Sequence, residues 1–169
     1  RAFERTDYRF DVLSDYGAFR DLQRHRMLTI DWQPLSPRHG FARPPAVDAA
    51  GLAGEFDAVM ERSAALHDLL HVDFPDQAYY AVSLAYRVRY SMQFNAREAI
   101  HMLELRTSPQ GHEAYRRVCQ RMHTAIAEVA GHHAVAEAMT FVDHSAEPTL
   151  GRLNAERRAE EKRRGQTGA

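Results

Sequence analysis

From Tyr8 to Ser14 the aromatic and aliphatic residues Tyr8, Phe10 and Val12 alternate with Arg9, Asp11 and Leu13, a period of two that predicts a half-buried strand. Ser14-Asp15-Tyr16-Gly17 breaks it. Asp15 is placed to cap a short helix from about Tyr16 to Arg24, with Phe19 and Leu22 three apart on its inner face. Met27-Leu28-Thr29-Ile30 reads as the next strand. Pro34, Pro37, Pro44 and Pro45 with Gly40 make residues 33–47 a loop, because proline removes donors and restricts its predecessor. Leu52, Phe56, Val59, Met60, Ser63, Leu66 and Leu70 keep the three-four rhythm of an amphipathic helix that reaches about His71 and ends before Pro75.

Tyr79 to Phe94 is rich in aromatic and β-branched residues, which predicts two strands or one long bent one. Asn95 then caps a helix from Ala96 to about Arg106. Ser108-Pro109-Gln110-Gly111 turns into another helix, with Tyr115, Val118, Cys119, Met122, Ile126 and Val129 as its apolar stripe. Beyond Pro148 six cations (Arg152, Arg157, Arg158, Lys162, Arg163, Arg164) face Glu156, Glu160 and Glu161, so 151–169 reads as a frayed helix or charged tail after a domain at 1–150.

A chain of 169 residues suits one domain with its own core. A net charge of -1 and a pI near 6.9 argue against a nucleic-acid binder, so any basic site is local. The single cysteine, Cys119, forms no internal disulfide and fits a reducing, cytoplasmic setting. No apolar run approaches the roughly 20 residues of a membrane helix. A start at Arg1 rather than Met suggests an excerpt from a longer chain.

Gln23-Arg24-His25-Arg26 places charge at an element boundary, followed by Asp31, Ser36, Arg38 and His39. A cluster of this kind is either a solvated corner or an anion site, since the guanidinium fork pairs bidentately with phosphate. On the helix after Asn95, Arg97, His101 and Glu104 share one face, while Ala96, Ala99, Ile100 and Leu103 make the other. Arg106 projects half a turn away from Arg97, so this one helix could serve two sites, as happens at an oligomer interface. His67 and His71 stand at the i, i+4 spacing of a zinc helix, but no Glu follows the first His and no metal is expected. His132-His133 reads as a helix end where cationic His suits the dipole, and Cys119 as core.

Arg24-His25-Arg26, then Ser36-Pro37-Arg38, then Asn95-Ala96-Arg97-Glu98 running into Leu103-Glu104-Leu105-Arg106, together resemble the flavin-dependent thymidylate synthase family over about residues 8–130. The resemblance implies an α/β (α+β) fold, a mixed sheet flanked by helices, and a homotetramer binding FAD between subunits. In that family the flavin is reduced by NADPH, takes a methylene from methylenetetrahydrofolate and delivers hydride to dUMP, giving dTMP. Carried over, Arg24, His25 and Arg26 resemble the flavin- and nucleotide-binding triplet. Asn95, Arg97 and His101 resemble the flavin-contacting residues, and Ser36, Arg38 and Arg106, with Arg24, those that hold dUMP.

The chain also departs from the family pattern. Pro34 stands where a serine follows the triplet, and Ser36-Pro37-Arg38 recovers that serine only across a two-residue insertion. Trp32 replaces a glutamate, with Asp31 the nearest carboxylate; Asp21 replaces a glutamine; and Tyr79 replaces an arginine that grips the pyrimidine. The flavin side is thus expected to be better kept than the dUMP side. The alternative expectation is a catalytically degenerate copy, a flavin-binding or structural partner paired with a second copy in a longer chain.

Overall fold

The computed structural model describes residues 1–145 and 151–167. The chain divides into two compact units, Arg9–Phe94 and a second made of Arg1–Tyr8 with Asn95–Ala169. The architecture is mixed α/β, with a three-stranded sheet and helices. The expected boundary at residue 150 lies outside the described residues.

The sheet has the order β1 (Asp7–Asp15), β3 (Arg87–Asn95), β2 (Thr29–Trp32). β2 runs antiparallel to β3, with Thr29 opposite Gln93 and Trp32 opposite Tyr90. β1 is antiparallel as well, because Tyr16 N–H bonds the Tyr86 carbonyl at one end while Phe10 stacks on Phe94 toward the other. Val88, Tyr90, Met92 and Phe94 are buried on one face of β3, whereas Arg89 and Gln93 on the other are exposed, the alternation that a half-covered sheet requires.

Asp15 Oδ1 accepts the Ala18 N–H at 2.8 Å and starts α1 (Tyr16–Leu22), whose Phe19 and Leu22 are buried. The Phe19 ring lies 4.9 Å from Tyr90. β2 begins at Thr29, two residues later than expected, and Met27 is exposed. Within the proline-rich loop stand a 3-10 turn at Pro37–His39 and α2 (Pro45–Ala49).

α3 (Ala53–Asp73) buries only Met60 and His67, while Val59 and Leu66 from the expected apolar stripe remain half exposed. Its contacts are Val82 and Tyr86, with Phe41 and Phe56 packed alongside, and the Tyr86 hydroxyl donates to the Met60 carbonyl. The strand expected from Tyr79 is not one. Ala78–Ala81 is a 3-10 helix and β3 starts at Arg87, after a lone bridge between Tyr86 and Phe41, because the Phe74 carbonyl takes the N–H groups of Gln77 and Ala78 and coils the chain onward. Strand propensity yields to this local bonding, leaving Tyr80 exposed and Val82 buried.

In the other unit Asn95 Oδ1 accepts the Glu98 N–H at 3.0 Å, capping α4 (Ala96–Thr107) as its sequence predicts. α4 packs on α5 (Glu113–Glu128) through Ala99, Met102, Leu103, Cys119, Met122 and Ile126, all buried. Arg116 is 2% exposed; its Nε donates to the Thr107 carbonyl at 2.7 Å and its Nη2 lies 3.5 Å from the Asp143 carboxylate.

His132-His133 does not end a helix. α5 stops at Glu128, Gly131 takes φ 69°, and His132 stands at the N-cap of α6 (His133–Glu137) with its Nδ1 2.9 Å from the Tyr8 hydroxyl. The charged segment forms α7 (Gly151–Thr167), with an Arg164–Glu160 pair; residues 168–169 are not described. Among the described residues no helix is long and apolar enough to cross a membrane.

Candidate functional site

The arginine triplet sits just past α1. Buried Phe19 and Leu22 anchor the helix end, and their carbonyls accept the N–H groups of Gln23 and His25 at 2.9 and 3.2 Å. This turn sends His25 inward, 9% exposed, and leaves Arg24 and Arg26 outward. Arg24 pairs with Asp21 at 3.5 Å, so the aspartate in place of the family's glutamine already draws on one guanidinium. Exposed arginines of this kind are donors for an anionic group.

Ser36 precedes the Pro37–His39 turn, and Arg38 within it is exposed. Gly40 closes the turn at φ 67°, a conformation that favours glycine. His39 Nε2 lies 2.9 Å from Gln33 Oε1, and Arg87 reaches the His39 carbonyl.

Trp32 is opposite Tyr90, and its ring lies 5.5 Å from Phe19, half exposed at the edge of the sheet. Asp31 is opposite Ser91. Successive strand residues point to opposite faces, so Asp31 does not replace a carboxylate lost at Trp32. The polar face of this sheet carries a recess of about 500 Å³ bordered by Arg9, Asp11, Asp31, Gln33 and Arg89. Arg89 hydrogen-bonds Asp11 and holds its carboxyl below the usual range.

On α4, Arg97 is exposed in the first turn and donates to the Glu4 carboxylate. His101 is exposed one turn on, and Glu98 beside them is buried. Asn95 uses its side-chain oxygen for the cap. Arg106, half buried, lies with its guanidinium carbon 5.5 Å from the centre of the Tyr115 ring, a cation–π contact. Cys119 is fully buried and its thiol is pushed up to about 12 by burial, which makes it inert as a nucleophile.

Sequence reasoning passed over two further groupings. Arg116 falls three residues before Cys119 at the edge of the apolar stripe, a position that its charge disguises. His144 Nε2 lies 2.9 Å from His123 Nδ1, and burial, with the His123 charge, lowers the His144 pKa against the pull of Asp143. No local motif marks that pair, because 21 residues separate its members.

Residues 1–132 match the family model described as thymidylate synthase complementing protein. The chain belongs to that family. Curated relatives include the UPF0159 protein of Chlamydia muridarum (strain MoPn / Nigg), 37% identical over 158 residues that cover 94% of this chain and 29% of that protein. Those of Chlamydia pneumoniae and Thermoplasma acidophilum are 38% and 39% identical, over 95% and 92% of this chain and 30% and 31% of theirs. The chain therefore spans about three-tenths of the length of these family relatives. Among solved structures it resembles a UMP/dUMP methylase PolB from Streptomyces cacaoi bound with 5-Br UMP, at TM-score 0.65 and 19% identity, covering 83% of this chain and 76% of that one. At this identity the likeness speaks for the fold.

Proposed function

We propose that the chain is a flavin-dependent thymidylate synthase domain taking part in the reductive methylation of dUMP to dTMP, with methylenetetrahydrofolate as carbon donor and NADPH as reductant. The carrying observation is the family match over residues 1–132, because that span includes both Arg24-His25-Arg26 and the helix from Asn95 to Arg106. The solved methylase named for UMP and dUMP supports the same substrate class.

The donor set fits FAD. Arg24 and Arg26 are exposed, and Arg97 is exposed in the first turn of a twelve-residue helix, where the positive end of the dipole adds to its charge. A pyrophosphate is met by such guanidinium groups. In this reading Arg24, His25, Arg26, Asn95, Arg97 and His101 hold the flavin, while Arg24, Ser36, Arg38 and Arg106 orient dUMP. When bound, FAD supplies the redox chemistry. A family-like site is built from several subunits, so the two sets of residues need not come from one chain, and the functional form is a homo-oligomer or a pairing with a second copy.

Trp32 and Tyr79 favour a second reading, in which this copy keeps flavin and structural contacts but does not catalyse. Flavin absorbance in the purified protein, acquired on adding FAD, supports both readings; none before or after addition overturns the cofactor assignment. Turnover of dUMP by the chain separates the two.

A further inference from the structure

On α3 the ring nitrogen Nε2 of His67 is, among the described residues, a buried side-chain atom without a hydrogen-bond partner. The residue is only 5% exposed, and buried polar groups are ordinarily satisfied. The other ring nitrogen fixes the tautomer. His67 Nδ1 lies 3.0 Å from Asp68 Oδ1, and an ionised carboxylate only accepts, so Nδ1 carries the proton. In the neutral ring Nε2 then holds the lone pair. A metal-ligating imidazole has this same arrangement, with its far N–H given to a carboxylate or carbonyl.

His71 follows one helical turn later, and residues four apart share a face. Its ring centre is 5.4 Å from that of His67, and the two planes differ by 13°. The two rings are stacked and His71 is exposed, so sharing one ion requires the His71 ring to rotate toward His67 Nε2 on the side open to solvent.

We infer that His67 Nε2 and His71 form an open two-imidazole site for a divalent first-row transition metal ion such as Zn²⁺, Ni²⁺ or Cu²⁺. Imidazole nitrogens suit these ions, with Cu²⁺ bound most tightly, whereas Mg²⁺ and Ca²⁺ need oxygen ligands. Two protein ligands leave positions for water, so the ion exchanges instead of being locked in as in a closed four-ligand site. No glutamate follows the first histidine to act as a hydrolytic base.

The test is calorimetric titration of the purified chain with Zn²⁺ and Ni²⁺, with nitrogen NMR of the histidine rings as the site-resolved readout. One saturable equivalent is expected, shifting the Nε2 resonance of His67 and insensitive to Mg²⁺. His71→Ala removes an exposed side chain and should abolish that equivalent while the far-ultraviolet spectrum stays unchanged. Asp68→Asn should weaken it about 10- to 100-fold. His123→Gln should leave it intact. Absence of saturable uptake by the wild type, or uptake that His71→Ala leaves unaltered, overturns the assignment.

Discussion

Arg97 Nη1 donates to Glu4 Oε1, joining the first turn of α4 to the 3-10 turn at the start of the chain. The Arg97 side chain is 73% exposed, so the pair adds little to stability, about 0–1 kcal/mol. The carboxylate instead competes for a guanidinium that the proposed function gives to FAD. Arg97→Ala should weaken flavin retention with the unfolding midpoint unchanged. Glu4→Gln should strengthen it, most visibly at low salt. Flavin fluorescence titrations of both variants check this, and unaltered affinity in both would remove Arg97 from the flavin site.

Arg116 behaves in the opposite way. Its guanidinium is buried and bonds the Thr107 carbonyl and Ser145 beside the Asp143 carboxylate. Removing one partner of a buried charged pair costs about 3–5 kcal/mol, so Arg116→Ala should lower the urea midpoint sharply. Arg117→Ala, next in sequence but exposed, should stay within about 0.5 kcal/mol of wild type.

The contrast between these arginines shows where sequence suffices. Asp15 and Asn95 were legible as caps because a short side chain bonding N–H groups two or three residues on is a local event. The strands and helices that follow such signals were legible too. Tyr79–Tyr86 was misread because its propensity does not reveal the bonds to the Phe74 carbonyl. Burial of Met60 but not Val59 depends on where Tyr86 and Val82 pack, and burial of Arg116 on where residues 143–145 return. The family resemblance named the motif residues one by one, and the family match spans all of them. The opposed facing of Asp31 and Trp32 needed β2 to reach Trp32, two residues beyond the strand expected at Met27–Ile30.

Acid should destabilise the unit that contains α5. Its bonds to Ser145, with the Arg116 charge beside it, lower the Asp143 pKa, and burial lowers that of His144. In both cases the unfolded chain binds more protons over the interval between the two pKa values, so stability rises with pH there. The His144 contribution is complete above about pH 6.5 and is lost as the pH falls below it; the Asp143 contribution is lost below the ordinary carboxylate pKa of about 4. His144→Gln should flatten the first limb and Asp143→Asn the second, as read by denaturation midpoints across pH 3–8. A steeper limb in either variant would contradict the assignment.

The proposed reaction requires dUMP to be oriented over the flavin, and a misplacement of about 1 Å costs about a hundredfold in rate. Tyr79 lies in a 3-10 turn and carries no permanent charge to meet negative charge developing on the pyrimidine. Trp32 offers an aromatic edge packed on Phe19 where a carboxylate is usual, and Asp31 points to the other face of its strand. In the proposed function the nucleotide grip would then rest on Ser36, Arg38 and Arg106, the last held against Tyr115. A homo-oligomer of this chain alone should therefore bind FAD more tightly than dUMP and release tritium from labelled dUMP slowly or not at all. Supplying a second copy that carries the missing arginine and glutamate should raise the rate. Full-rate tritium release by the chain on its own would show that the two-residue insertion before Ser36 restores the nucleotide site and that this copy catalyses without help.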